Sequence, residues 1–546
     1  MKNMTKRSVS LISAILLCAG STVSAFAEAG QNPYLRGDIN RDGAVTVEDV
    51  QIALVAYTNT VAEKPTGLKH PIQLEAANVL RDCAFDIVDV QCILKYYVEN
   101  NVSKRNVTWD QVTGRDKLTV PDTGEELVIR AATNFKDLEM MIRQFTERHP
   151  EYKGKVRAEY LVTCNEEDIV SFWTDEDWEE YIAKAEDTDI FYTDELMFNF
   201  LNNDELSIPV SALGFTGSDF ANMYPYTIET GTSLNGDLKA LTATASPSGF
   251  IYRSDLAEKY LGVKTPVEMQ KLIGSWEDFE KTAKTVHDKS EGKTAFTEGG
   301  EGMDNAVFCN LTEPWFNDKL EYAIPEHLKQ AASRYETFSK NGYLCDDYMF
   351  SESWFDTLQS DALLGYFIPN WLLKDDSFIP GFGDVEDSPF YGKYNLVQGP
   401  AAYHSFDQYL FVSPHCDNKT LAYEFLREFT VNEETMTAFA NETGNFLNNS
   451  SVMKKIAASD EGEASLGGQK IIGLLDEIAA ASHSLKEYAA GTDFDCVEFM
   501  EKVREAVESG TPIEDLYKRE VFYGLLFRTY LNHNSSPAEK NRRGCF

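Results

Sequence analysis

The sequence predicts an α/β fold: one large α/β module preceded by a small all-α module. Three observations lead there. An oxygen-rich loop at Asp38–Asp49 runs straight into an amphipathic helix. The same loop-and-helix pattern returns forty residues later. A strand–helix–strand run then opens at Leu127, the signature of a parallel sheet.

The chain begins with Lys2, Lys6 and Arg7, then an apolar run from Val9 to Ala19, then Ser24-Ala25-Phe26-Ala27. A basic start, a short apolar stretch and small residues before a break are the parts of a secretory signal, so residues 1–27 are expected to be removed on export. Cys18 follows Leu17, where a lipid-anchor signal wants a small residue, so acylation there is not expected. No later segment is long and apolar enough to span a bilayer. The 546 residues leave room for several cores, and the net charge of −38 argues against nucleic acid or an anionic membrane surface as partner. The nine cysteines are scattered without a CxxC, so metal clusters are not expected and any disulfide pairing cannot be read.

The first loop places side-chain oxygens at positions 1, 3, 5, 9 and 12, from Asp38, Asn40, Asp42, Thr46 and Asp49, and a backbone carbonyl at position 7, from Ala44. Gly43 at position 6 permits a sharp turn. A hard cation such as Ca²⁺ needs this many oxygens in a flexible shell. The bland alternative is a polar turn that only caps a helix. Val50, Ala53, Leu54 and Tyr57 follow at helical spacing. Arg41, Asp42, Ala44, Asp49, Val50, Gln51, Leu54 and Tyr57 recur as Arg81, Asp82, Ala84, Asp89, Val90, Gln91, Leu94 and Tyr97.

This duplicated calcium-loop and helix unit, over about residues 35–100, resembles a dockerin, a module that docks onto cohesin modules. The first repeat is a close match. The second has Asn78 at position 1, Leu80 at position 3 and Cys83 in place of the glycine. Asn78, Asp82, Asp86 and Asp89 remain as its candidate ligands. In dockerins loop positions 10 and 11 help choose the cohesin. Here they are Val47 and Glu48, then Ile87 and Val88, so the two faces differ.

Residues 101–124 are polar, without apolar periodicity, and read as a linker to a module spanning 125–546. A strand is expected over Leu127–Thr133, an amphipathic helix over Phe135–Arg148 with Leu138, Met141, Ile142 and Phe145 on one face, and a strand over Lys155–Val162. Thr188–Asp194 reads as a buried strand.

The large module resembles the extracellular solute-binding proteins of ABC importers, in particular the carbohydrate-binding family. The likeness lies in Val128–Thr133 with Phe145-Thr-Glu-Arg-His-Pro150, in Asp189–Asp194, in Asn235–Leu241 with Gly249–Leu256, in Pro266 with Ser275-Trp276-Glu-Asp-Phe279, and in Ala422–Phe429 with Gly444. Arg253 stands where asparagine is usual, and Phe406-Asp407 where paired glycines are frequent. The resemblance implies two α/β lobes, an interlobe cleft, an oligosaccharide ligand and an ABC permease as partner. Sugars present apolar faces ringed by hydroxyls, which flat aromatic rings and polar side chains recognise. Trp371, after Gly365-Tyr-Phe-Ile-Pro-Asn370, is the first candidate, then Tyr366 and Trp354, with Thr133, Asn134 and Asp194 as polar contacts. Each of these aromatics could equally be core packing.

No HExxH, GxSxG, Walker loop or strand-following GxGxxG appears, so no enzyme is expected. Two alternatives stand beside the carbohydrate trap held by a cohesin: an adhesion or assembly component with an unused cleft, and a dockerin-borne glycoside hydrolase.

Overall fold

The structure is a computed structural model that describes residues 35–62, 64, 66–68, 71–82, 85–114, 121–133, 136–162, 183–193, 197–311, 324–345, 356–357, 360–374, 389–405, 407–484 and 492–517. The expected signal segment 1–27 lies outside the described residues.

The N-terminal module is built around two capped helices. Thr46 caps the helix Val47–Val61, and Asp49 accepts the Thr46 amide in return. Asp86 and Asp89 do the same for the helix Ile87–Tyr97. The duplication is therefore real at the level of hydrogen bonds, because loop position 9 doubles as the N-cap and position 12 as its capping-box partner. The two helices pack together, with the short helix Pro71–Ala77 beside them. Val50, Ala53, Ala56, Val79, Val90 and Ile93 fill the core between them.

Leu54 was expected on the buried stripe, but it is exposed at 44%, as is its repeat counterpart Leu94. The inward row is 50–53–56 and not 50–54–57, because two short helices share one narrow contact and the flanking row turns out. The polar segment expected as a linker begins inside the module. Trp109 stacks on Tyr96 with centroids 3.9 Å apart, Val112 is buried, and Lys95 Nζ donates to the Val112 carbonyl at 2.8 Å. Gly37, at φ +85°, leaves room for that indole; a Cβ there would come within 2.4 Å of Trp109.

The large module carries two main sheets. The first orders its strands β2-β1-β3-β11-β4, with β1 Leu127–Thr133, β2 Val156–Val162, β3 Ile190–Thr193, β4 Ala240–Leu241 and β11 Tyr409–Val412. β1 runs parallel to both β2 and β3, as the strand–helix–strand opening predicts. The helix Lys136–Arg148 covers this sheet with Leu138, Met141 and Phe145 fully turned inward. Burying a ring such as Phe145 contributes ~1.5–3 kcal/mol.

The second sheet centres on β5 Pro247–Arg253, flanked by β8 Gly365–Pro369, β9 Tyr394–Val397 and β10 Tyr403–His404, all antiparallel to β5. A two-stranded ribbon, β6 Thr297–Glu298 with β7 Leu344–Cys345, lies in the same lobe. Each lobe has its own apolar core, and the core of the first extends through the region where the lobes join. Trp276 starts the helix Trp276–Ser290 behind the N-cap Ser275 and packs on Phe279 and Phe367, the anchoring role its position suggests. Among the described residues no helix is long and apolar enough to cross a membrane.

Candidate functional site

The chain passes between the sheets at residues 242–246, from β4 to β5, and again between His404 and Tyr409, from β10 to β11. Strand register puts the ends that matter on one edge. In the first sheet Tyr409, the first residue of β11, pairs with Thr193, the last of β3, and β3 lies parallel to β1, which ends at Thr133. In the second sheet Pro369, the last residue of β8, pairs with Ser248, next to the start of β5. Asn370 and Trp371 thus leave the second sheet beside the crossings, while the carboxyl ends of β1 and β3 reach them from the first. Ligands of open α/β sheets gather at such strand ends.

The crossings are tied to each other by polar contacts. Ser405 N donates to Ser246 O at 3.2 Å, and Asn370 Nδ2 to Ala245 O at 3.3 Å. Asp407 Oδ1 accepts the Ser246 amide at 2.7 Å and the Tyr226 hydroxyl at 3.1 Å. Its other oxygen meets His404 Nδ1 at 2.7 Å, and the His404 ring stacks on Tyr226 with centroids 4.2 Å apart. Burial alone would push the His404 imidazole down, but Cys309 and the Asp407 carboxylate outweigh it and hold it well above its ordinary value. Asn370 Oδ1 is buried and accepts no hydrogen bond among the described residues.

Trp371 is half-buried and packs against the core of the first lobe, directly after Asn370 at the lobe junction. Tyr366 is different. It lies in the middle of β8 at 2% exposure, against Tyr394, and its ring is a core ring with no open face. Thr133 ends β1, paired with Val162. Asn134, Asp194 and Trp354 lie outside the described residues, as does the Thr133 side chain.

Sequence reasoning did not select Asn370, His404 or Tyr226. The one signal was Asp407, noted as a departure from glycine, and the structure makes it the residue that joins the crossings. Arg253, the other departure, is spoken for within the second lobe. It forks onto Asp255 at 2.7 and 2.9 Å, reaches Asp361 at 3.0 Å and lies over Phe390.

In the first loop of the N-terminal module, Gly43 holds φ +88°, the turn expected at position 6. Asp38 accepts the amides of Asp42 and Gly43, Asn40 Oδ1 accepts the Asp42 amide, and Asp49 Oδ1 accepts those of Ile39 and Asn40. Burial, then the facing carboxylates of Asp49 and Asp42, raise the Asp38 carboxyl against the pull of its backbone bonds. The donor set is all oxygen and its like charges repel, which suits a hard divalent cation. Among the described residues no three His, Cys, Asp or Glu side chains are gathered at metal-binding spacing, the loop's carboxylates being turned onto its own amides. In the second loop Asn78 Oδ1 accepts the Arg81 amide at 3.0 Å and Asp89 the amides of Leu80 and Asp86, both at 2.9 Å. Burial pushes the Asp89 carboxyl up to about 7.

A protein whose structure is described as an extracellular solute-binding protein family 1 member superposes with a TM-score of 0.58 at 16% identity, over 75% of this chain and 99% of its own. The sugar-binding protein MalE of Xanthomonas citri does so with 0.56 at 12%, over 77% and 99%. The ABC-transporter-associated binding protein of B. animalis subsp. lactis Bl-04, in complex with β-1,6-galactobiose, gives 0.50 at 15%, over 75% and 97%. The large module has the two-lobe fold of extracellular solute-binding proteins. The proteins so matched are described as solute-binding, sugar-binding and transporter-associated binding proteins. No family profile and no curated protein sequence matches this chain.

Proposed function

We propose that this protein captures a carbohydrate between its two lobes and is held at its place of work by the N-terminal helical module. The observation that carries the first half is the lobe junction. A half-buried indole, Trp371, follows a buried amide oxygen, Asn370 Oδ1, that accepts no hydrogen bond among the described residues, where the two sheets meet. A sugar offers both an apolar face for the ring and hydroxyl donors for the oxygen. The similar structures with sugars or sugar-binding roles in their descriptions support the same ligand class, and an ABC permease is the partner that class of trap serves. The export signal read in residues 1–27 supports a place outside the cell.

The second half rests on the loop-and-helix repeat. Asp38, Asn40, Asp42, Thr46, Asp49 and the Ala44 carbonyl would hold Ca²⁺ in the first loop. In the second, Asn78, Asp82, Asp86 and Asp89 offer fewer oxygens. Bound calcium would supply charge neutralisation and fix the first loop against its helix. Val47 and Val88 are exposed at 47% and 42%, Glu48 is exposed and Ile87 is half-buried, so these positions stand on the surface as a cohesin contact requires. Exposed large apolar side chains concentrate on the same helices, at Leu54, Val55, Val61 and Leu94, and such a patch marks an interaction surface.

The test uses the full secreted chain. A glycan array followed by calorimetry should find an oligosaccharide ligand, and a pull-down should recover a cohesin-bearing protein in calcium but not in chelator. Binding to no glycan would favour the assembly component, and release of sugar from polysaccharide would favour the hydrolase.

A further inference from the structure

The second loop of the helical module is clasped by the first lobe. Arg81 holds φ at +55° and turns its backbone outward, where its carbonyl accepts the Asp204 amide at 3.0 Å. Its guanidinium Nη1 lies 3.4 Å from Asp204 Oδ1 and 3.8 Å from Asp237 Oδ2. Beneath them Lys239, with no exposed surface, sets its Nζ 2.7 Å from the same Asp204 oxygen. Leu234, from the lobe's 232–238 turn, packs against the module's apolar core.

The duplication supplies an internal control. Arg41 is the same repeat position in the first loop and adopts the same backbone turn, at φ +62°. Yet Arg41 stays partly exposed and makes no ion pair among the described residues, whereas Arg81 is buried to 6%. The residues that depart from calcium ligation around Arg81 serve this turn. Asn78 receives the Arg81 amide and donates to the Asp82 carbonyl at 2.7 Å, and Leu80 brings no side-chain oxygen.

We propose that the second loop is an intramolecular dock: Arg81, set between Asp204 and Asp237 with Lys239 beneath, fastens the helical module to the first lobe so that the two move as one body. A fully buried lysine keeps its charge only beside a carboxylate, and Asp204 is that carboxylate while it also bridges to Arg81. An arginine fork suits two carboxylates better than a point charge does. The covalent connection through 101–124 keeps the local concentration of the two surfaces high, so a modest interface holds them. Val47 and Val88 remain exposed in this arrangement, so a partner that grips the helices holds the first lobe directly. The dock stands whether or not that partner is a cohesin.

The test compares Arg81→Glu with Arg41→Glu in the full secreted chain, by hydrogen exchange and small-angle scattering. In the wild type the amides of residues 78–82 and 203–206 should exchange slowly and the scattering should fit one rigid body. Arg81→Glu should speed exchange several-fold on both sides and lengthen the maximum dimension, while Arg41→Glu changes neither. Adding Asp237→Lys to Arg81→Glu should restore protection. If Arg81→Glu unfolds the module, Arg81→Gln decides through the 203–206 amides alone: faster exchange supports the dock, unchanged exchange overturns it. The proposal also fails if the wild type already scatters as two independently moving bodies, or if the two glutamate variants behave alike.

Discussion

His404 Nδ1 lies 2.7 Å from Asp407 Oδ2 at the point where the chain leaves the second lobe for the first. Because the other Asp407 oxygen holds the Ser246 amide, one carboxylate ties together two of the crossings between the lobes. Breaking a buried pair of this kind by removing one partner costs ~3–5 kcal/mol. Asp407→Asn should therefore lower the chemical-denaturation midpoint by a large step, without changing far-UV circular dichroism of the folded state. A variant as stable as the wild type would show that the pair is not holding the junction.

The pH dependence follows from the same contact. The folded His404 imidazole is held above its ordinary value, so the stability it contributes is fully present below about pH 6.5 and is lost as pH rises through the folded value. Wild-type stability should decline from near neutrality upward, and His404→Gln should flatten that decline. Parallel slopes in urea titrations of the two proteins would remove His404 as the source.

Calcium should act on the first loop. A ligand that binds only the native state raises stability by mass action, about 2.7 kcal/mol at a hundredfold excess over Kd. Added calcium should raise the melting temperature of the helical module in the full chain, and Asp42→Ala should remove most of that shift. Asp82→Ala should remove little of it, since the second loop supplies fewer oxygens and Asn78 is engaged with Arg81. A melting curve indifferent to chelator would end the calcium reading.

Much of this was legible in the chain. The strand over Leu127–Thr133, the helix over Lys136–Arg148 and their parallel partner strand follow from period and β-branched content, since apolar stripes report burial directly. Gly43 at a positive φ and the reciprocal caps at Thr46 and Asp86 follow from turn chemistry. What was hidden is long-range. Nothing local says that Leu54 faces out, that Tyr366 is enclosed by Tyr394, or that Arg253 reaches Asp361 across more than a hundred positions of sequence. The Arg81–Asp204 contact is of the same kind, because identical repeat positions, Arg41 and Arg81, meet different surroundings only once the lobe is folded beside one of them.

Trp371→Ala should weaken oligosaccharide binding. Truncating an aromatic at a ligand face costs roughly 1–3 kcal/mol, a several-fold to hundredfold loss in affinity. Since the indole also packs against the first lobe's core, some loss of stability is expected with it. Trp371→Phe keeps a flat ring and should recover part of the affinity. Calorimetry at a temperature where all three proteins are folded separates the effects, and equal affinities would take Trp371 out of the site.

A carboxyl inside the second lobe is held in its neutral form. Glu298, on β6, is buried beneath β8, accepts the Phe367 amide at 3.1 Å and lies 3.3 Å from the Thr297 hydroxyl. Burial is the dominant influence on it and overcomes those hydrogen bonds, with Asp304 adding to the effect, so the group is pushed up to about 8. The folded protein therefore holds a proton that the unfolded chain gives up at about pH 4.5. Stability from the neutral acid is fully present below that pH and is lost as pH rises to about 8, a change on the order of a few kcal/mol. Glu298→Gln stays neutral throughout and keeps an oxygen to accept from Phe367. It should melt above the wild type at about pH 8 to 9, and the gap should close on approach to about pH 4.5. A gap independent of pH would mean that Glu298 does not titrate inside the fold, and that the amide acts through packing alone.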